Sequence, residues 1–234
     1  MFTGLVIDDL SNCMIDAMMR GLRALFVRGI AGLLLALAAP GPATATDFPT
    51  SLQVVAVAPG YAARSPGDER WLIYLDGPID PGATSRIVNL ILQQKIARAV
   101  VYLNSPGGSL VTAMQVGRVL REHGFETRVG ARTLDAARPG PGTCYSACPF
   151  VLAGGVSRGL EPGSTIGVHR AENRVRLLDE SHFQSVVEAQ AVDYLAGMGV
   201  GAELAVMMAS IPHHQIRELT VDEARRLKLI SEGH

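Results

Sequence analysis

Three short stretches of the chain carry residues able to do acyl-transfer chemistry. Ser146 sits between two cysteines in Cys144-Tyr145-Ser146-Ala147-Cys148, after a Pro/Gly/Arg loop over 131–143 and before the apolar run PFVLAGG. A serine that opens an apolar helix stands where the helix dipole and unpaired N–H groups favour developing negative charge. The same residue type is also a common N-cap, so alone it reads either way, and Pro149 fits a first helical turn in both cases. His169 follows 23 residues later, directly after the strand-like Thr165 to Val168. A histidine at a strand end is often an ordinary polar group; here it has a specific use as the general base for Ser146. The third stretch, Asn104 to Ser109, reads NSPGGS. Two glycines let a backbone turn sharply and present N–H groups to an anion, although a plain tight turn needs them as well. Neither GxGxxG nor GxxxxGK[ST] is present, so the nucleotide-binding motifs are not met.

The elements around these residues form a repeating α/β pattern. Trp71 to Leu75 (WLIYL) is a strand-forming run ended by Asp76-Gly77-Pro78. Asp80 is expected as an N-cap with Pro81 at the first helical position, and Ile87, Leu90, Ile91 and Gln94 follow at helical spacing. Ala99 to Leu103 (AVVYL) is a second buried strand, and strand, helix and strand in this order imply a parallel pair with a right-handed crossover. Leu110, Ala113, Met114, Gly117 and Leu120 mark a second helix that stops at Gly124, before a short strand from Glu126 to Gly130. A long helix is expected from about Ser181 to Gly197, with helical pieces near Ala202 to Ala209 and Val221 to Leu227. In such sheets ligands bind beyond the carboxyl ends of the strands, which is where NSPGGS and His169 fall.

Composition narrows the class. With 234 residues, 48% hydrophobic and 18% charged, the chain is neither disordered nor a disulfide miniprotein. A net charge of −1 lacks the basic footprint of a nucleic-acid binder. Residues 1–45 read as a secretory signal: Arg20, Arg23 and Arg28 precede the apolar Gly29 to Ala39, then come Pro40, Pro42 and Ala43-Thr44-Ala45, with cleavage after Ala45. The apolar run falls short of the roughly 20 residues that span a bilayer, and an uncleaved N-terminal membrane anchor is the alternative. The lead from Met1 is long and carries Asp8, Asp9 and Asp16; a start at Met18 or Met19 fits the pattern better, so an over-extended start is expected. Residues 46–69 are expected to be a polar segment, with a linker around Pro59 to Gly67. Cleavage removes Cys13 and leaves Cys144 and Cys148 in an oxidising compartment, where a disulfide persists. Four apart, they would lie about one helical turn from each other, a Cα separation of roughly 6 Å and within disulfide range. Two cysteines without clustered ligands do not complete a metal site.

Taken together, NSPGGS, SACPFVLAGG and His169 at its spacing resemble the proteolytic subunit of the Clp protease, from about Arg70 to the C-terminus. Glu218 to Leu229 (ELTVDEARRLKL) is similar to that family's closing motif, in which a helix leads to the last strand. The export signal and the cysteine-flanked serine resemble its periplasmic group. The resemblance implies a ClpP/crotonase-like spiral of βαβ units with a mostly parallel sheet, residues 70–234 forming the catalytic domain. It implies Ser146 as nucleophile, His169 as base, and oxyanion donors at Gly107 or Gly108 and at Ala147. A peptide or protein substrate and a homo-oligomer are implied, with no cofactor and, after export, no ATPase partner. One departure stands out: the family's triad aspartate would fall near Pro212-His213-His214, where no carboxylate exists. Glu218 and Asp193 are the candidates for its role. Lys95 and Lys228 lie outside the stretch after the nucleophile, which disfavours a Ser/Lys dyad. The expected function is an exported serine hydrolase, a peptidase. The alternatives are a non-catalytic binding or scaffold protein that lacks the triad acid, and acyl-CoA chemistry using the oxyanion hole for an enolate.

Overall fold

The apolar runs form strands because each is buried on two faces. In the computed structural model, which describes residues 48–60, 69–173 and 179–231, all described residues belong to the unit Asp47–His234. The signal-peptide reading of residues 1–45 and most of the linker around Pro59 to Gly67 therefore fall outside the described residues. The elements in order are β1 (Gln53–Val57), β2 (Trp71–Asp76), α1 (Ala83–Gln94), β3 (Ala99–Asn104), α2 (Leu110–Glu122), β4 (Glu126–Val129), β5 (Thr143–Tyr145) and α3 (Cys148–Ala153). They continue with β6 (Arg158–Leu160), β7 (Thr165–Val168), α4 (Glu180–Gly197), α5 (Glu203–Ser210), β8 (Arg217–Leu219) and α6 (Val221–Arg226).

Two sheets result. The larger has the order β1-β2-β3-β4-β6, with β2, β3, β4 and β6 parallel and β1 antiparallel at the edge. The smaller has the order β5-β7-β8, with β5 and β7 parallel and β8 antiparallel. The architecture is thus a mixed α/β fold of mostly parallel strands. On one face of the larger sheet Ile73, Leu75, Val101 and Leu103 enter the main core with the helices. On the other, Leu72, Tyr74, Val100 and Tyr102 pack with Ala136 and Ala137 of the loop between β4 and β5. Tyr74 and Tyr102 stack at 5.2 Å, and the Tyr74 hydroxyl donates to the Ala136 carbonyl at 2.6 Å. Coverage of both faces explains why WLIYL and AVVYL read as continuous apolar runs without alternation.

Helix α3 lies directly on α2. A Cβ on Gly154 would come within 2.5 Å of the Gly117 Cα, and one on Gly117 within 2.7 Å of the Phe150 carbonyl oxygen. The Tyr194 hydroxyl closes this contact by donating to the Phe150 carbonyl at 2.7 Å. At the other end of α3, the Arg121 guanidinium donates to the carbonyls of Ala153, Gly154 and Gly155. It satisfies the last carbonyls of the short helix and places a cation at the negative end of its dipole.

Several local expectations are corrected. The first helix starts at Ala83 with Gly82 as its N-cap, so Asp80 is not the cap and Pro81 is not the first helical residue. The Asp80 carboxylate instead accepts from the Gly82 N–H at 2.8 Å, from the Leu52 N–H at 3.1 Å and from Arg86. Arg86 and the two N–H groups hold its carboxyl at about 2. A long-range clasp on the chain entering β1 has won over local capping. The segment expected to be polar supplies β1, whose pairing with β2 is a contact no local pattern encodes. The closing motif is also reversed: β8 precedes α6, and no strand follows α6 among the described residues.

Candidate active site

The smaller sheet places the two candidate side chains, Ser146 and His169. β5 and β7 run parallel with Tyr145 beside Gly167, and the Ser146 N–H extends the ladder by donating to the Gly167 carbonyl at 2.9 Å. Ser146 therefore leaves β5, and His169 leaves β7, at the same end of adjacent strands, whose spacing is about 4.8 Å. Both side chains are half-buried. Their side chains are not hydrogen-bonded to each other; catalytic hydrogen bonds commonly tighten only once substrate is bound.

Ser146 is not a helix N-cap. Its backbone has φ 61, a left-handed conformation rare for any residue with a side chain, and Ala147 caps α3 instead. The chain thus turns from strand to helix through a strained elbow with the serine at its apex. The expectation that Cys144 and Cys148 share a helix is corrected as well. Cys144 pairs with Ile166 in β5, while Cys148 is the first residue of α3. The two form a disulfide across the elbow, with Cα atoms 5.1 Å apart and both residues fully buried. Replacing both cysteines by serine is expected to lower stability by about 2 kcal/mol, the loop-closure value for so short a ring. Urea denaturation measures it, and an unchanged midpoint would mean that packing alone holds the elbow.

The glycine stretch is carried to the elbow by strand pairing. Ser105 donates its N–H to the Thr143 carbonyl at 2.7 Å and accepts at its own carbonyl from the Tyr145 N–H at 3.0 Å. This brings Gly107, at φ 104, so close that a Cβ there would lie 2.5 Å from the Ser146 Cβ and 3.0 Å from the Ala147 nitrogen. The oxyanion donors expected from the resemblance separate here. The Gly107 N–H donates to Ser105 Oγ at 3.1 Å, and its carbonyl accepts from the Ile79 N–H at 2.7 Å, so Gly107 is engaged. The N–H groups of Gly108 and Ala147 have no hydrogen-bond partner among the described residues.

His169 Nδ1 lies 2.8 Å from the Arg170 carbonyl oxygen. A carbonyl can only accept, so Nδ1 carries the proton and Nε2 is left with its lone pair. Burial pushes the imidazole below its ordinary pKa; the Arg170 carbonyl opposes this, a charge on His213 adds to it, and Glu172 counters it. Neither carboxylate singled out from the sequence pairs with His169. Glu218, on β8 across Gly167, accepts from the Tyr145 hydroxyl, and Asp193 is exposed on α4. Glu172, three residues beyond His169, favours the charged imidazole electrostatically. Sequence reasoning passed over it because it belongs to no motif. Among the described residues no group of three His, Cys, Asp or Glu side chains is placed to hold a metal ion.

No known family profile matches the sequence. No curated protein matches it either. Among solved structures, the chain is similar to a serine-to-alanine mutant of a membrane-bound stomatin-specific protease, with a TM-score of 0.47 and 16% identity over 68% of this chain and 75% of that one. A likeness of this degree bears on neither activity nor substrate.

Proposed function

We propose that this protein is an exported serine hydrolase, a peptidase with the spiral βαβ architecture implied by its Clp-like motifs, working through an acyl-enzyme on Ser146. The observation that carries the reading is the strained elbow: Ser146 at φ 61, packed against Gly107, with His169 at the end of the neighbouring parallel strand. Functional sites are where such backbone strain is retained.

In this reading Ser146 Oγ attacks the substrate carbonyl carbon while its proton passes to His169 Nε2. The carbonyl oxygen becomes an oxyanion facing the N–H groups of Gly108 and Ala147, where one such donor is worth about 3 kcal/mol of barrier. Collapse expels the amine, which takes the proton from His169, and water then releases the acyl group by the same steps in reverse roles. The Arg170 carbonyl fixes the imidazole tautomer, the orienting part of a triad acid's work. It supplies no full negative charge for the imidazolium, and loss of a triad acid costs on the order of 10⁴ in turnover. A slow enzyme is therefore expected. Self-association and a periplasmic address belong to the same proposal and rest on the motifs and the N-terminal pattern.

The test is labelling by a serine-reactive fluorophosphonate, with Ser146→Ala and His169→Ala as controls. Labelling of the wild type that both substitutions abolish supports the assignment. Labelling that survives both overturns it, and a wild type that never labels favours the non-catalytic reading. The pH dependence adds a sign. The neutral imidazole is the base and burial lowers its pKa, so the labelling rate should hold as pH falls past the ordinary histidine value of about 6.5 and decline only below it. A decline centred above that value contradicts His169 as the buried base.

A further inference from the structure

The two sheets meet just beyond the end of β3. Ser105 forms an isolated bridge to Cys144 in β5, donating to the Thr143 carbonyl and accepting from the Tyr145 N–H. Asn104 stands one residue before this bridge, half-buried, and its side chain adds a second link. Its amide oxygen accepts from the Thr143 N–H at 3.0 Å and from the Thr143 hydroxyl at 3.3 Å. Its amide nitrogen donates to the Asp76 carboxylate at 2.6 Å, and its backbone carbonyl accepts from the Gly77 N–H at 2.9 Å. Asp76 and Asn104 are register neighbours at the ends of β2 and β3. One side chain thus ties two strand ends of the larger sheet to the first residue of β5, on the strand that leads into Ser146. The residue type follows from these partners. A backbone N–H can only donate and a carboxylate can only accept, so the group between them must accept on one side and donate on the other, as an amide does. Aspartate here would face Asp76 with a like charge, and leucine would take away the acceptor of the Thr143 N–H.

We propose that Asn104 is a positioning residue for the site: by holding the start of β5 to the ends of β2 and β3 it fixes Ser146 against Gly107, and so sets the serine relative to the Gly108 N–H. This deepens the hydrolase reading and rests on it for its catalytic consequence, but the placement of Ser146 is measured without catalysis. Gly107 is tied to the same junction, since its N–H donates to Ser105 Oγ at 3.1 Å and a Cβ on it would lie 2.5 Å from the Ser146 Cβ. At so close a contact, a slip of β5 along the end of β3 either drives Ser146 into Gly107 or draws it away.

Three variants of the full chain carry the test. Asn104→Asp keeps an acceptor for Thr143 but sets two carboxylates side by side, whereas Asp76→Asn keeps an acceptor for the Asn104 amide. The double variant Asn104→Asp/Asp76→Asn exchanges donor and acceptor and rebuilds the link. Hydrogen exchange of the Ser146 N–H, which donates to the Gly167 carbonyl, is read by NMR against that of Val101, buried in β3, so that a global loss of stability cancels. Asn104→Asp is expected to lower Ser146 protection relative to Val101 about tenfold and fluorophosphonate labelling about 10²-fold, the cost of a displacement of about 1 Å. Asp76→Asn is expected to keep both, and the double variant to recover both. Ser146 protection unchanged in Asn104→Asp, or lost there and not recovered in the double variant, overturns the inference, as does labelling that holds at the wild-type rate while protection falls. Should Asn104→Asp fail to fold, a double variant that folds with wild-type protection and labelling supports the link, and one that folds without them overturns it. Protection that follows the exchange in proteins that never label supports the positioning and removes the hydrolase reading instead.

Discussion

Ser146→Gly is expected to lose turnover and gain stability. The left-handed backbone at φ 61 costs a residue with a side chain about 1–2 kcal/mol, whereas glycine adopts it freely. Part of that gain is offset by the larger conformational freedom of glycine in the unfolded chain, leaving about 1 kcal/mol. The serine hydroxyl has no hydrogen-bond partner among the described residues, so its removal leaves no orphaned group behind. Ser146→Ala keeps the strained backbone and should fall within about 0.5 kcal/mol of wild type. Both variants lose the proposed nucleophile. Because the missing acid already lowers the starting rate, the measured fall is expected to be at least about 10²-fold, smaller than in a complete triad. Urea denaturation and hydrolysis of a fluorogenic peptide or ester provide the two readings. A glycine variant less stable than the alanine variant would show that the elbow stores no strain.

Gly107→Ala is expected to damage stability and turnover together. The added methyl would lie 2.5 Å from the Ser146 Cβ and 2.8 Å from the Tyr145 carbonyl oxygen, at a backbone with φ 104. Neither neighbour yields readily, since Tyr145 is held between the Ser105 carbonyl and β7 and Ser146 is held by Gly167. Strain and overpacking together cost about 2–4 kcal/mol. Relief requires the elbow to move, and displacement by about 1 Å at a reacting group costs about 10²-fold in rate. Gly124→Ala is the matched control: φ 66, but nothing within 4 Å of the added methyl. It should lose about 1 kcal/mol and no activity. Equal activity losses in the two variants would mean that contact with Ser146 is not what makes Gly107 matter.

How far the site could be read in advance depended on how local each feature is. The runs at Trp71 and Ala99 and the helical spacings at Ile87 and Leu110 announced their elements, because burial of each run repeats with the period of its own backbone. β5, β6 and β8 have three residues each and no period to detect. Ser146 and His169 could be named from residue type and context, yet the serine looked like a helix cap. A left-handed backbone at a serine leaves no trace in composition; it sits here between β5 pairing on one side and the disulfide-bonded Cys148 on the other.

The amino-acid sequence by itself determined the inventory: an α/β chain, a serine between two cysteines, a double-glycine loop, one histidine at a strand end, and no aspartate where the motif expects one. Residue identity and short-range periodicity are covalent facts, and they survive without the fold. The tertiary structure decided the assignments within that inventory. It engages the Gly107 N–H with Ser105, leaves the Gly108 and Ala147 N–H groups without hydrogen-bond partners among the described residues, gives His169 a carbonyl in place of a carboxylate, and ties the Arg170 N–H to Ile211. Gly107 with Ser105 and His169 with Arg170 are near neighbours in the chain, yet which partner each group takes is settled by the strand pairing around it. Such choices exist only once folding has brought the competing groups within reach of one another.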